Sequence, residues 1–362
     1  MTIIHFGGLE HAMKIGAIFS LVSLVTLAVV NSPLLYGRGQ VLVSWKQSTV
    51  FPEPRAGYAA GVLVGKLVIA GGTYWEGTKG NWTRKIFSPS AHAFDAKNET
   101  WEKLPDAPFA FGYAASTVVG DKLFVLGGYT PDGINRRILT LTRQKNGYVW
   151  EVFGEMPADR LFAQAVSVGK KIYLLGGTTK FEPYDAAGTC CTSATATNNL
   201  MVLDTANPHT GWQQLAPYPG DRRWLFTAET DGNSIWMFGG TFQADQRDPT
   251  RNFDEVLRYE IKAGRWSVVG SLPSETREET TLSAMLMQRT IILINSTGKA
   301  WQFDLKTCLF QQLPPLPQAA YVDKFVRLDN VIVGAGGENS VEGPRKRSEW
   351  TFIGKLEPNS RN

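Results

Sequence analysis

The sequence has few of the residues on which metal and disulfide chemistry depend. It contains three cysteines and four histidines in 362 residues. Two of the cysteines, Cys190 and Cys191, are adjacent, and adjacent cysteines rarely bridge without strain. Zinc-ligand spacing, a phosphate-binding glycine loop and a Gly-x-Ser-x-Gly nucleophile motif are all missing. We therefore expect no metal site, no cofactor and no dependence on disulfides, because a chain of this length buries a large core.

Strong charge of one sign is also missing. The formal net charge is +4, and lysine and arginine are spread along the chain. The one dense basic run, Arg345-Lys346-Arg347, is interpreted as a solvated loop. Because nucleic-acid-binding proteins gather their basic residues into a patch or stripe, we predict no nucleic-acid partner.

The longest apolar run is short for a membrane span. Met13-Lys14 precedes an uncharged run from Ile15 to Val30, whereas a transmembrane helix needs about 20 residues. A cationic start followed by such a run is typical of a secretory signal peptide. We predict that residues 1–32 are a signal peptide, with its core around 13–31, and that the protein is exported to a periplasmic or extracellular space. The alternative is an uncleaved anchor, which would be the protein's membrane contact.

Glycine, in contrast, is plentiful and recurs in pairs. The pairs end short apolar strands, and units containing them follow one another at roughly 50 to 60 residues, a spacing that suits four-stranded propeller blades. The second strand of a unit, such as Lys66-Leu-Val-Ile-Ala70, is apolar at nearly every position, which indicates burial on both faces. The five pairs that end such strands are Gly71-Gly72, Gly127-Gly128, Gly176-Gly177, Gly239-Gly240 and Gly336-Gly337.

Each unit continues in a recognisable order. A Gly pair is followed by a strand with Phe94-Asp95, then by Trp101, then by Leu104-Pro105. This order resembles the kelch repeat. A further unit without a Gly pair ends its strand at Asn295-Ser296, so the count is six. The resemblance implies an all-β, six-bladed kelch β-propeller over residues 40–357, followed by a disordered tail at 358–362.

The chain ends are expected to close the ring. The last unit lacks a fourth strand, and the segment from Val41 to Trp45 has strand character but no unit of its own. We predict that this N-terminal strand completes the last blade, which removes the open sheet edges that favour aggregation.

One face of such a propeller carries both the junctions between blades and the loops after the Gly pairs. We call this face the mouth. Ligand-binding candidates there are Arg55, Tyr74, Trp75, Tyr129, Arg160, Arg222, Arg223, Trp224, Arg277, Lys324 and Glu338. Guanidinium groups match carboxylates bidentately. The alternative is that the arginines pair with neighbouring loops as scaffold and that Trp224 and Tyr321 pack between blades. If Arg223 binds a ligand, replacing it with alanine weakens binding and leaves the melting temperature nearly unchanged.

The acid–base candidates at the mouth are Glu278, Glu279 and Asp323. Ring opening of a sugar hemiacetal needs an acid and a base but no cofactor. The signal, the six units and the arginine-rich mouth resemble the exported kelch mutarotases of the sialic-acid type, which implies an acidic sugar as ligand and mutarotase or epimerase-like activity. The alternative is a non-catalytic kelch propeller that binds a protein or a glycan at the same face.

Overall fold

The computed structural model describes residues 42–78, 81–179, 195–245, 248–276, 282–339 and 346–357. Within these ranges, six four-stranded antiparallel sheets and four short two-stranded hairpins account for the strands. The innermost strands of the six sheets contact one another in a closed ring. The predicted all-β, six-bladed propeller is therefore confirmed.

The strands are numbered in chain order. They are β1 Leu42–Gln47, β2 Ala59–Leu63, β3 Lys66–Ala70, β4 Thr73–Thr78, β5 Asn81–Phe87, β6 Ala91–Asp95, β7 Thr100–Leu104, β8 Ala115–Val119, β9 Lys122–Leu126, β10 Tyr129–Thr130, β11 Gly133–Ile134, β12 Arg137–Gln144, β13 Gly147–Glu155, β14 Gln164–Val168, β15 Lys171–Leu175, β16 Leu200–Asp204, β17 Gln213–Leu215, β18 Thr227–Thr230, β19 Ser234–Phe238, β20 Thr241–Phe242, β21 Arg251–Asn252, β22 Glu255–Glu260, β23 Arg265–Ser271, β24 Leu282–Met287, β25 Thr290–Asn295, β26 Ala300–Asp304, β27 Phe310–Leu313, β28 Phe325–Leu328, β29 Val331–Ala335, β30 Glu338–Asn339, β31 Lys346–Arg347 and β32 Thr351–Glu357. Short 3-10 turns lie at Pro208–Thr210 and Ser274–Thr276.

The blades follow the chain order, with the first strand of each blade innermost. Blade 1 is β2-β3-β6-β7, blade 2 is β8-β9-β12-β13, blade 3 is β14-β15-β16-β17, blade 4 is β18-β19-β22-β23, blade 5 is β24-β25-β26-β27 and blade 6 is β28-β29-β32-β1.

The two-sided burial of the second strands has a direct cause. In β3, Leu67 and Ile69 pack in an apolar cluster shared with blade 6, whereas Val68 and Ala70 pack in a cluster shared with blade 2. Successive side chains of a strand point to opposite faces of the sheet. Each blade therefore buries both faces against its neighbours, and apolar residues occupy nearly every position.

The N-terminal strand completes blade 6 as predicted. Strand β1 pairs antiparallel with β32, from Leu42 opposite Glu357 to Gln47 opposite Phe352. The Trp45 indole N–H donates to the Pro314 carbonyl of blade 5 at 3.1 Å. The same kind of bond joins blade 2 to blade 1, where the Trp150 indole N–H donates to the Pro105 carbonyl at 2.9 Å. Strand β1 thus makes the contacts of an ordinary fourth strand, although it lies at the other end of the chain.

A Gly pair turns the chain from the second strand into the loop of the mouth. Gly71 has φ +67°, and a Cβ on it would lie 2.3 Å from the Phe111 ring. No other residue fits this position without strain. Blade 5 replaces the pair with Asn295-Ser296, and the Asn295 side chain accepts the backbone N–H of Thr297 at 3.1 Å and of Lys299 at 3.0 Å. A side chain thus supports a turn that glycine makes elsewhere.

The predicted signal segment and the C-terminal tail lie outside the described residues, and both stay predictions. No helix in the described ranges has the length and apolar character needed to cross a membrane.

Candidate functional site

The junctions between blades and the loops after the Gly pairs meet on one face, as expected. Backbone bridges join them one to one. They pair Ala56 with Thr73, Gly112 with Tyr129, Leu161 with Thr178, Trp224 with Thr241 and Tyr321 with Glu338. Paired backbone therefore lines the mouth at blades 1, 2, 3, 4 and 6, whereas the blade 5 junction at 277–281 lies outside the described residues. The side chains on this backbone decide what the mouth can bind.

Two of the junction arginines do not face the mouth. Arg223 is 1% exposed. Its guanidinium donates to Glu255 at 2.9 Å and to the Gly239 carbonyl at 3.3 Å, and it lies 3.7 Å from the centre of the Phe253 ring. These partners belong to blade 4 itself, as Arg223 does. Arg223 thus fixes the start of its own blade, in agreement with the scaffold alternative.

Arg55 has the same role in blade 1. It is fully buried, and its guanidinium donates to Glu53 at 2.6 Å and to the Ser90 carbonyl at 3.1 Å. Its second terminal nitrogen also lies 3.2 Å from Nδ1 of His92. Burial, followed by the positive charge of Arg55, lowers the pKa of His92 to about 4, so the imidazole is neutral at pH 7.

The remaining junction candidates divide among buried, exposed and undescribed positions. The Arg160 side chain is buried, and this burial lowers its pKa. Arg222 is exposed, whereas Trp224 is 5% exposed and packs against Phe162. The candidates Arg277, Glu278 and Glu279 lie outside the described residues, and their assignment stays a prediction.

Asp323 is the acid–base candidate that the structure does bring to the mouth. Both of its carboxylate oxygens accept the backbone N–H of Gly57 at 2.9 Å. Burial raises the pKa of Asp323 to about 7, with a smaller contribution from Glu338; the Gly57 N–H and Arg347 act in the opposite direction. At neutral pH the carboxyl is therefore divided between its acid and its base form.

Tyr113 approaches Asp323 from the other side of Gly57. Gly57 has φ +67°, and a Cβ there would lie 2.5 Å from the Tyr113 ring. Because Gly57 has no side chain, the phenol packs directly on its backbone. The Tyr113 hydroxyl accepts a hydrogen bond from the Lys85 ammonium at 2.6 Å and lies 3.2 Å from the Thr73 hydroxyl. Burial raises the pKa of Tyr113 to about 12, so the phenol is protonated at neutral pH.

The Lys85 ammonium is held between two aromatic rings. It lies 4.9 Å from the centre of the Trp75 ring and 5.0 Å from that of Tyr113. Lys85 and Trp75 face each other across the β4–β5 hairpin. Tyr74, the neighbour of Trp75, is 40% exposed. Trp75 therefore belongs to the charged part of the mouth, where its ring contacts the Lys85 ammonium, and its role as a ligand-binding residue stays a prediction.

An ion pair from blade 6 completes the cluster. Glu338 and Arg347 are opposite residues of the β30–β31 hairpin, and their side chains form a direct ion pair. Arg347 also donates from Nε to the Thr73 carbonyl at 2.9 Å and from Nη2 to the Thr73 hydroxyl at 3.0 Å. The interpretation of Arg345-Lys346-Arg347 as a solvated loop is thus wrong for Arg347, which is 9% exposed because it clamps blade 6 to blade 1.

Aromatic rings continue the mouth around the axis. Tyr129 lies 5.3 Å from Phe87, Tyr113 lies 4.6 Å from Phe162, and Phe162 lies 4.9 Å from Trp224, as measured between ring centres. The row passes from blade 1 to blade 4 beside the charged groups. Aromatic faces next to fixed charges suit a ligand with both C–H faces and polar groups.

Comparison with known proteins gives the family. The chain matches the family model of the KLHDC2/KLHL20/DRC7 Kelch-repeats domain over residues 90–296, more than half of its length. The chain belongs to the kelch-repeat family. Two curated relatives are similar over a shorter stretch. One is the N-acetylneuraminate epimerase of Vibrio cholerae, 41% identical over 69 residues, and the other is that of Vibrio vulnificus, 37% identical over 75 residues.

These two similarities are short. The first match covers 19% of this chain and 18% of the relative, and the second covers 20% of each. The chain thus spans about a fifth of the length of the curated relatives it matches. The matches support a relationship within the kelch-repeat family, and the activity of the relatives is a matter for proposal.

Several residues of this kelch mouth were not among the sequence candidates. They are Thr73, Lys85, Tyr113, Phe162 and Arg347. A signal existed for two of them, because Tyr113 and Phe162 each directly follow a bridged junction residue, Gly112 and Leu161 respectively. The others come from hairpins whose lengths differ from blade to blade, so repeat spacing does not align them.

Proposed function

We propose that this exported kelch propeller interconverts the anomers of an acidic sugar at its mouth, without a cofactor. The observation that carries the proposal is the position of the Asp323 carboxyl, which accepts the Gly57 N–H at 2.9 Å and lines a polar cavity on the axis. Burial there raises its pKa to about 7, which suits a group that acts as both acid and base at neutral pH. The similarity to N-acetylneuraminate epimerases supports the choice of substrate class. The signal-like segment at 13–31 supports export.

The chemistry needs two proton transfers. A base removes the proton of the anomeric hydroxyl while an acid protonates the ring oxygen, and the ring opens to the free carbonyl form. Rotation about the bond to the carbonyl carbon and reclosure on its other face then give the second anomer. Asp323 takes or returns the anomeric proton in this proposal. The protonated Tyr113 hydroxyl, polarised by Lys85, serves as the second proton-transfer group.

Binding of an acidic sugar requires a cation and an apolar surface. Lys85 supplies the cation, which the Tyr113 hydroxyl and the Trp75 ring hold at the mouth. Phe162 and Tyr113 supply aromatic surface, and Tyr113 packs on Gly57, the residue whose N–H Asp323 accepts. Arg347, which Glu338 already neutralises, instead holds the hairpins of blades 6 and 1 in register.

The direct test is exchange spectroscopy by NMR on a freshly dissolved single anomer of N-acetylneuraminate, with and without the protein. We expect the wild-type chain to accelerate exchange and Asp323→Asn to lose roughly 100-fold or more of that acceleration, the usual range for a general acid–base residue. Asp221→Asn is the matched control, because Asp221 is exposed and pairs only with exposed Arg251 in the described part of the chain.

Two results would contradict the proposal. An Asp323→Asn protein that retains full exchange activity would remove Asp323 from the mechanism. Binding of the sugar without any acceleration by the wild-type chain would favour the alternative, a non-catalytic propeller that binds glycans.

A further inference from the structure

The mouth continues inwards as a polar cavity on the propeller axis. The cavity has a volume of about 110 Å³ and is lined by the inner strands of blades 2 to 5 and by the blade 6 junction. Asp323 lines it and also belongs to the mouth cluster. The cavity therefore begins at the proposed proton-transfer group and extends below it, with room for several water molecules or for a short polar chain.

Two opposite charges face each other across this cavity. Lys324 of the blade 6 junction reaches across the axis, and its ammonium donates to the Ser116 carbonyl of blade 2 at 3.1 Å. Glu229 stands on the inner strand of blade 4, where its carboxylate accepts the Thr230 N–H at 2.8 Å. Both residues line the cavity. Together with Ser116, they come from blades 6, 4 and 2, so no single blade could form this arrangement.

The two charges interact without a direct ion pair between them among the described residues. Burial lowers the pKa of Lys324 and raises that of Glu229, and the attraction between the two groups opposes both effects. Groups buried in this way need polar partners, because an unsatisfied buried charge is costly. A ligand that fits between an ammonium and a carboxylate would supply such partners to both.

The balance of charge selects the ligand class. A simple anion would meet Glu229, and a simple cation would meet Lys324. A hydroxyl group accepts from an ammonium and donates to a carboxylate with the same oxygen. The side chains of Thr117, Gln164 and Thr227 add polar groups to the lining. The lining therefore matches a neutral chain that carries several hydroxyls.

We propose that this axial cavity binds the polyhydroxyl chain of the sugar acid and so selects substrates by that chain. The inference rests on the proposed function, because it is Asp323 that connects the cavity to the reacting carbon. With the ring held at the mouth and the chain along the axis, Glu229 and Lys324 act as specificity-determining residues. They touch the chain and take no part in the proton transfers.

The experiment compares two ligands on two double variants. The ligands are N-acetylneuraminate and its analogue whose hydroxylated chain has been shortened by periodate oxidation and reduction. The test variant is E229Q/K324M, which removes both charges together and keeps the side-chain sizes. The control is E102Q/K66M, the same changes in an exposed ion pair on blade 1. Binding is measured by calorimetry and anomer exchange by NMR.

We expect the wild-type chain to bind the full-length ligand roughly 10- to 100-fold more tightly than the shortened one, the range for loss of one charged hydrogen bond. The test variant should lose this preference and bind the shortened ligand as the wild type does. The control should behave as the wild type. Thermal unfolding of each variant shows whether it folds, and Thr227→Val provides a milder probe of the same cavity if the double variant does not.

Equal binding of the two ligands by the wild-type chain would overturn the inference, and so would an equal loss for both ligands in a folded test variant. In either case, accelerated anomer exchange would leave the proposed function standing. A wild-type chain that neither binds nor converts either ligand would overturn the proposed function itself, and the inference with it.

Discussion

Two kinds of buried charge cluster occupy the same face of this propeller. Arg55 and Arg223 find partners within their own blades, and each is at most 1% exposed. The cluster of Asp323, Tyr113 and Arg347 is drawn from blades 6 and 2 instead, and Asp323 and Tyr113 meet at the backbone of Gly57 in blade 1. A charge satisfied within one blade holds that blade together. A carboxyl that is bonded to another blade, as Asp323 is to Gly57, lines the axial cavity instead.

The comparison predicts which changes act on stability and which act on the site. The largest effect should follow from removal of residues 42–47, which form the outer strand of blade 6. We expect loss of the cooperative thermal transition, because β32 would be left with an open edge and Trp45 would no longer bond to blade 5. Calorimetry of the truncated chain measures this, and a retained sharp transition would contradict closure by β1.

Replacement of Arg223 should give the next largest effect. We expect Arg223→Ala to lower the free energy of unfolding by about 3 kcal/mol, since it removes a buried cation that makes several hydrogen bonds. This reverses the expectation from sequence that the melting temperature would be nearly unchanged. Arg222→Ala is the control, because Arg222 is the exposed neighbour. Denaturant titration measures the free energy of unfolding of both variants. Similar values for the two would show that Arg223 does not stabilise blade 4.

A smaller effect on stability is expected at the mouth and should depend on pH. The pKa of Asp323 in the folded protein, about 7, lies above its ordinary value of 3.8. The folded chain therefore binds more protons than the unfolded chain between these values, and the contribution of Asp323 to stability is lost as pH rises through 7. We therefore compare the free energy of unfolding of Asp323→Asn with that of the wild type at two pH values. We expect this difference to favour the variant by about 1 to 3 kcal/mol more at pH 8 than at pH 4.

The comparison with Asp323→Asn is needed because His92 acts in the opposite direction. The folded-state pKa of His92, about 4, lies below its ordinary value of 6.5, so its contribution is lost as pH falls. Both proteins carry His92, and its effect cancels in the difference. Thermal melts of the pair from pH 4 to 8 measure the contribution of Asp323, and a difference that does not change with pH would show that its pKa is ordinary.

The sequence by itself determined the fold. Gly pairs, two-sided apolar strands and the Trp before a Leu-Pro step are local patterns, and each is required by the geometry of a single blade. The last unit lacked a fourth strand, and the N-terminal strand belonged to no unit. A count of strands was therefore enough to predict that the N-terminal strand closes the ring. These features are readable because the same physical constraints act six times along the chain.

The site was decided by tertiary structure. Asp323 and Gly57 are 266 residues apart, and Lys324 and Ser116 are 208 apart. The sequence around a junction arginine does not reveal whether its partner lies in its own blade or across the axis. Arg347 looked like a solvated charge until blade 1 was placed beside blade 6. Whether a charge is scaffold or site depends on which distant side chains surround it, and only closure of the ring brings those together.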